Sequence, residues 1–101
     1  MKKTYLKSRP ACKVTFELPK AAVDGASKVA VVGDFNDWRT DDAVSLKRQK
    51  DGRFAVTVEL AVGRAYRFRY LIDGKRWEND WAADRYEPAT IGGAENSVVE
   101  V

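Results

Sequence analysis

Three stretches of this chain place an apolar residue at every second position, a period that suits a pleated strand and not a helix. In Lys13-Val14-Thr15-Phe16-Glu17-Leu18 the apolar residues are Val14, Phe16 and Leu18, and Pro19 closes the run. Phe54, Val56, Val58 and Leu60 alternate with Ala55, Thr57 and Glu59, and Tyr66, Phe68, Tyr70 and Ile72 alternate with Arg67, Arg69, Leu71 and Asp73. Each is a strand with one buried face. Val29 to Val32 is apolar throughout and reads as a more fully buried strand, and Ser97 to Val101 as a terminal one. Asp51-Gly52 and Asp73-Gly74 read as type I′ hairpin turns, whose two central positions need positive φ. Gly25, Gly63 and Gly92-Gly93 mark further breaks, and Ala21 to Val23 suits one helical turn. The expected architecture is an antiparallel β-sandwich of about seven short strands.

The 101 residues suffice for one domain. Residues 1–12 are expected to be an N-terminal extension or a first edge strand, and residues 13–101 a single sandwich. Hydrophobic residues make up 45% and charged residues 33%, the balance of a globular chain. The net charge of +3 is a small excess of scattered basic residues, too dispersed for a nucleic-acid footprint. No apolar segment is long enough for a signal sequence or a membrane span, so the cytoplasm is the expected location, with no membrane partner. The single cysteine, Cys12, excludes an internal disulfide.

Histidine is absent, which removes Ser-His-Asp chemistry, His-based metal sites and a partner to activate Cys12. Asp34 and Asp37 read as turn-formers, and Gly33-Asp34-Phe35-Asn36-Asp37-Trp38 lacks the lysine of a phosphate loop. No enzyme activity and no cofactor are expected. The distinctive residues are the tryptophans. Trp38, Trp77 and Trp81 all fall outside the alternating strands, among charged and amide side chains. A loop tryptophan can cap the open end of a sandwich. It can also present a flat apolar face on which a sugar ring stacks, with neighbouring polar groups bonding the hydroxyls. In the second reading Phe35 anchors the turn in the core while Trp38 is held out. Arg67 and Arg69, on the outward face of the 66–72 strand, are donors of the right kind; for Arg67 an ordinary surface role is preferred.

Val31-Val32-Gly33-Asp34-Phe35-Asn36-Asp37-Trp38, then Tyr66 to Gly74 followed by Trp77, then Asn96-Ser97-Val98-Val99-Glu100-Val101 resemble the family-48 carbohydrate-binding modules. These are the early-set, immunoglobulin-like β-sandwich domains found at the N-termini of isoamylases and glycogen-branching enzymes. The chain is also similar to the glycogen-binding domain of the AMP-activated protein kinase β subunit. The resemblance implies non-catalytic binding of α-1,4-glucan, whether glycogen, starch or a maltooligosaccharide. It assigns sugar contacts to Trp38, Arg69 (where the kinase domain has lysine), Trp77 and Asn96. Trp77 matches once one extra residue is allowed in Asp73-Gly74-Lys75-Arg76-Trp77. Gly92 and Ala94 stand where the kinase domain has leucine and threonine, so contact from the 91–95 loop is left open, while Trp81, Arg67 and Lys75 are further candidates. The alternative is a structural or protein-interaction module packed on a family-13 debranching or branching enzyme, and a glycogen-metabolising enzyme is a candidate partner under either reading. Binding of single-stranded nucleic acid by aromatics and basic strands, and independent glycosidase chemistry, rank below both.

Overall fold

The computed structural model of the chain describes residues 1–89 and 94–101. The fold is all-β, a curled antiparallel sheet that closes into an immunoglobulin-like sandwich. Nine strands are present among the described residues: β1 (Lys2–Tyr5), β2 (Ala11–Leu18), β3 (Val29–Gly33), β4 (Val44–Arg48), β5 (Phe54–Ala61), β6 (Ala65–Ile72), β7 (Arg76–Glu78), β8 (Arg85–Pro88) and β9 (Glu95–Glu100). The strand order is β1-β2-β5-β4-β3-β6-β9-β8, with β7 added beside β6. The count exceeds the expected seven because β1, β7 and β8 are only three or four residues long, and at least half of each is charged, so they carry no apolar alternation; backbone pairing places them in the sheet.

One layer is β1-β2-β5 and the other is β3-β6-β9-β8, and β4 belongs to both. Its first residues pair with β3, Val44 with Val31 and Leu46 with Val29, whereas Lys47 and Arg48 pair with Ala55 and Phe54 of β5. The alternating residues fill the space between the layers. Cys12, Val14, Phe16 and Leu18 stand opposite Leu60, Val58, Val56 and Phe54, so a single register sets two apolar rows on one face. They meet Tyr66, Phe68, Tyr70 and Ile72 of β6 in one core cluster. The Phe16 ring lies 4.9 Å from Phe68, edge to face, and Phe68 lies 5.7 Å from Tyr70 in the same way, the geometry aromatic quadrupoles favour.

The two Asp-Gly turns differ. Asp73 and Gly74 have φ of 54° and 66°, and the Lys75 N–H donates to the Ile72 carbonyl (3.1 Å), as type I′ requires. Strand pairing resumes at Ile72 with Arg76, so Lys75 is an added residue of this hairpin. Asp51 is not left-handed; Gly52 alone is, at φ 91°, and the Gln49 N–H donates to the Arg53 carbonyl (2.7 Å). That is a three-residue loop in which only the last position needs glycine, and the type I′ expectation for Asp51-Gly52 is corrected accordingly. The expected helical turn is a single 3₁₀ turn at Lys20–Ala22. The Gly92-Gly93 break lies outside the described residues.

Candidate functional site

The outward face of the β3-β6-β9-β8 layer is where the predicted polar residues gather. Directly paired residues in antiparallel strands project to the same side. Val32 pairs with Arg69, and Glu87 pairs with Asn96; Arg69 reaches across to Asn96, Nε donating to Oδ1 at 2.8 Å. These four form one row. The next row towards the β6–β7 turn is Ala30, Leu71 and Trp77, and the next in the other direction is Arg67, Val98 and Arg85. Val32 and Val98 are fully buried yet lie outside the main core cluster, so the side chains of this face close over them and give it an apolar floor.

Trp77, expected in a loop, stands in β7 opposite Leu71 and is 44% exposed. Its companion arrives from the segment after β3. There Asp34–Asn36 forms one 3₁₀ turn, after which Asp37 and Trp38 both adopt φ of 57°. Left-handed backbone is uncommon for a bulky residue such as tryptophan and costs on the order of 1 kcal/mol or more per residue, so the surroundings must impose it. Asn36 is the hub that does so. Its Oδ1 accepts from the Gly33 N–H (3.0 Å), and its Nδ2 donates to the carbonyls of Arg39 (3.2 Å) and Asp42 (2.9 Å). The Trp38 N–H donates to the Gly33 carbonyl (3.0 Å). Phe35 packs inward, its ring 5.5 Å from Phe16. Gly33 has no alternative here, because a Cβ would sit 2.4 Å from the Arg67 carbonyl oxygen and 2.9 Å from the Phe35 ring.

Asp34 fixes the indole. Its Oδ1 accepts from Trp38 Nε1 (2.8 Å) and its Oδ2 from the Arg67 backbone N–H (2.8 Å), so one carboxylate ties the loop to the edge of β6. Trp38 is in consequence half-buried, less exposed than the sequence suggested. Sequence reasoning took Asp34 for a turn-former and missed this contact. The signal available was the four-residue spacing of Asp34 and Trp38, but the partner on β6 is tertiary.

These elements enclose a surface groove of about 750 Å³, lined by Trp38, Trp77, Arg67, Arg69 and Asn96 together with Asp34, Glu87 and Pro88. Lys75 and Trp81 lie outside it. Along the β8 side the Arg67 Nε donates to Glu87 Oε1 (3.0 Å), and Arg85 bonds the other carboxylate oxygen. The hydrogen bonds from Arg85 and Arg67 hold the Glu87 carboxyl below the usual glutamate range, and the bond to Glu87 raises Arg67 in turn. The groove therefore offers two indoles, a set of fixed guanidinium donors, a carboxylate acceptor and an amide. It combines apolar surface with bidirectional hydrogen bonding, the mixture a carbohydrate requires.

A search of curated proteins gives no match to the chain. A family model described as the glycogen recognition site of AMP-activated protein kinase matches residues 10–101, which include every residue lining the groove. The chain belongs to that carbohydrate-binding family, whose ligand is glycogen.

Proposed function

We propose that the chain binds α-1,4-glucan in this groove, with Trp38 and Trp77 as the stacking surfaces and without chemistry at the sugar. The observation that carries the reading is the convergence of two tryptophans, from separate segments of the chain, on one groove with the Arg69–Asn96 pair. The hydrogen bond between Arg69 Nε and Asn96 Oδ1 leaves the η nitrogens of Arg69 and the amide nitrogen of Asn96 to donate to sugar hydroxyls. Glu87, tethered by two arginines, keeps lone pairs to accept from them. Arg67 acts mainly by holding Glu87. The face is assembled before ligand arrives, which limits the ordering cost of binding.

Titration with maltoheptaose, followed by tryptophan fluorescence and by the indole N–H resonances, tests this. Trp38 and Trp77 respond at millimolar ligand, and Trp38→Ala and Trp77→Ala each weaken binding about tenfold while the amide spectrum stays folded. Silent indoles at millimolar maltoheptaose sink the reading. Unfolding of either variant identifies its tryptophan as a structural cap.

A further inference from the structure

Trp81 follows Trp77 by four residues but shares no surface with it. Between them lies Asp80, 5% exposed, whose polar atoms are all engaged. Its N–H donates to Ser97 Oγ (2.9 Å), and its carbonyl accepts from the Tyr86 hydroxyl (2.6 Å). Its carboxylate accepts from the Tyr70 hydroxyl (2.6 Å) on one oxygen and from the Ala82 N–H (2.7 Å) on the other. Both neighbours of Trp81 are thus pinned to the sandwich, and the turn cannot fold the indole inward. The ring stays 57% exposed. A core-capping tryptophan would be buried; this one is held in water on a fixed support.

The indole borders a depression of about 240 Å³, closed on the other side by Thr15, Glu17 and Pro19 and by Arg53 from the β4–β5 hairpin. Arg53 donates to Glu17 (2.6 Å) and, through Nε, to Asp51 (3.1 Å), which orients the guanidinium and still leaves donor hydrogens. A rigid aromatic face beside a paired donor and acceptor is again sugar-binding chemistry, on residues wholly distinct from those of the groove. Arg53 is set against the carboxyl groups of Glu17 and Asp80, which gives a phosphate backbone no net attraction. We propose that Trp81, with Glu17 and Arg53, is a second glucosyl-binding subsite, so that one copy of the chain grips two stretches of the same α-glucan polymer or bridges two polymers. The inference rests on glucan as the ligand and not on occupancy of the groove.

The test follows the three indole resonances of the full chain during addition of maltoheptaose, and repeats it on Trp38→Ala/Trp77→Ala. The Trp81 resonance moves in both proteins and saturates at its own concentration. Trp81→Ala leaves the movements at Trp38 and Trp77 unchanged but lowers apparent affinity for glycogen about tenfold through lost multivalency, and Trp81→Phe restores most of it. If Trp38 and Trp77 move while Trp81 stays fixed, the second subsite is refuted and the groove stands. If Trp81 moves alone, the subsite holds and the groove reading falls. If none moves, both fall. The wild-type titration decides among these outcomes even if the double variant fails to fold.

Discussion

Two donors depend on the carboxylate of Asp34, the Trp38 indole N–H and the Arg67 backbone N–H, each at 2.8 Å. Removing it leaves both without that partner, and losing such a bond costs about 1–3 kcal/mol where water cannot replace it. Asp34→Ala is expected to weaken maltoheptaose binding and to shift the Trp38 indole resonance in the free protein, with the Trp77 resonance unmoved. An unchanged Trp38 resonance would show that the loop holds its tryptophan by backbone geometry alone. The residue scale also shows what could be read in advance. The outward parity of Arg67 and Arg69 followed from the period of β6, and Phe35 packs inward as the apolar half of its turn should. The hydrogen bonds of Asp34 were hidden because an aspartate in a turn has a sufficient local explanation.

Among the elements, the β6–β7 hairpin does two jobs through Asp73. Its left-handed backbone makes the turn that returns the chain as β7 and so delivers Trp77. Its Oδ1 accepts from the N–H groups of Ser27 (2.9 Å) and Lys28 (2.8 Å), anchoring the approach to β3. Those bonds, Lys28 first, hold the Asp73 carboxyl below its ordinary value of 3.8. A carboxylate with a lowered folded-state pKa contributes stability that is complete above the unfolded value and is lost as pH falls through the folded one. Asp80 has the opposite sign, since burial raises it against the hydrogen bonds from Tyr70 and Ala82, so its contribution fades as pH rises through its folded-state value. Denaturant unfolding measured below pH 4 is therefore expected to lose stability less steeply in Asp73→Asn than in the wild type; an identical slope would remove Asp73 from the acid response. The long strands were evident from their alternation. β7 and β8 were not, because three or four residues, half or more of them charged, carry no period, and their place is fixed by their strand partners. β4 does place Val44 and Leu46 two apart, but the run is too short to stand out.

For the molecule as a whole, the shared strand β4 and the continuous core give no internal seam, so unfolding is expected to be a single cooperative transition. A ligand that binds only the folded state stabilises it in proportion to the logarithm of its concentration, by about 2.7 kcal/mol at a hundredfold excess over Kd. Maltoheptaose should then raise Tm progressively, and the rise should shrink in Trp38→Ala; a Tm indifferent to maltoheptaose would mean that the native state does not bind it. The strand order carries one more implication. It ends at β1, with Lys2 and Lys3, and at β8, with Arg85 and Pro88. Proline cannot donate to a neighbouring strand, and short edge strands bearing charged side chains are poor templates for edge-to-edge pairing. A glycogen particle gathers many copies of any protein that adheres to it. Terminal strands of this composition let those copies crowd side by side without zipping into a common sheet.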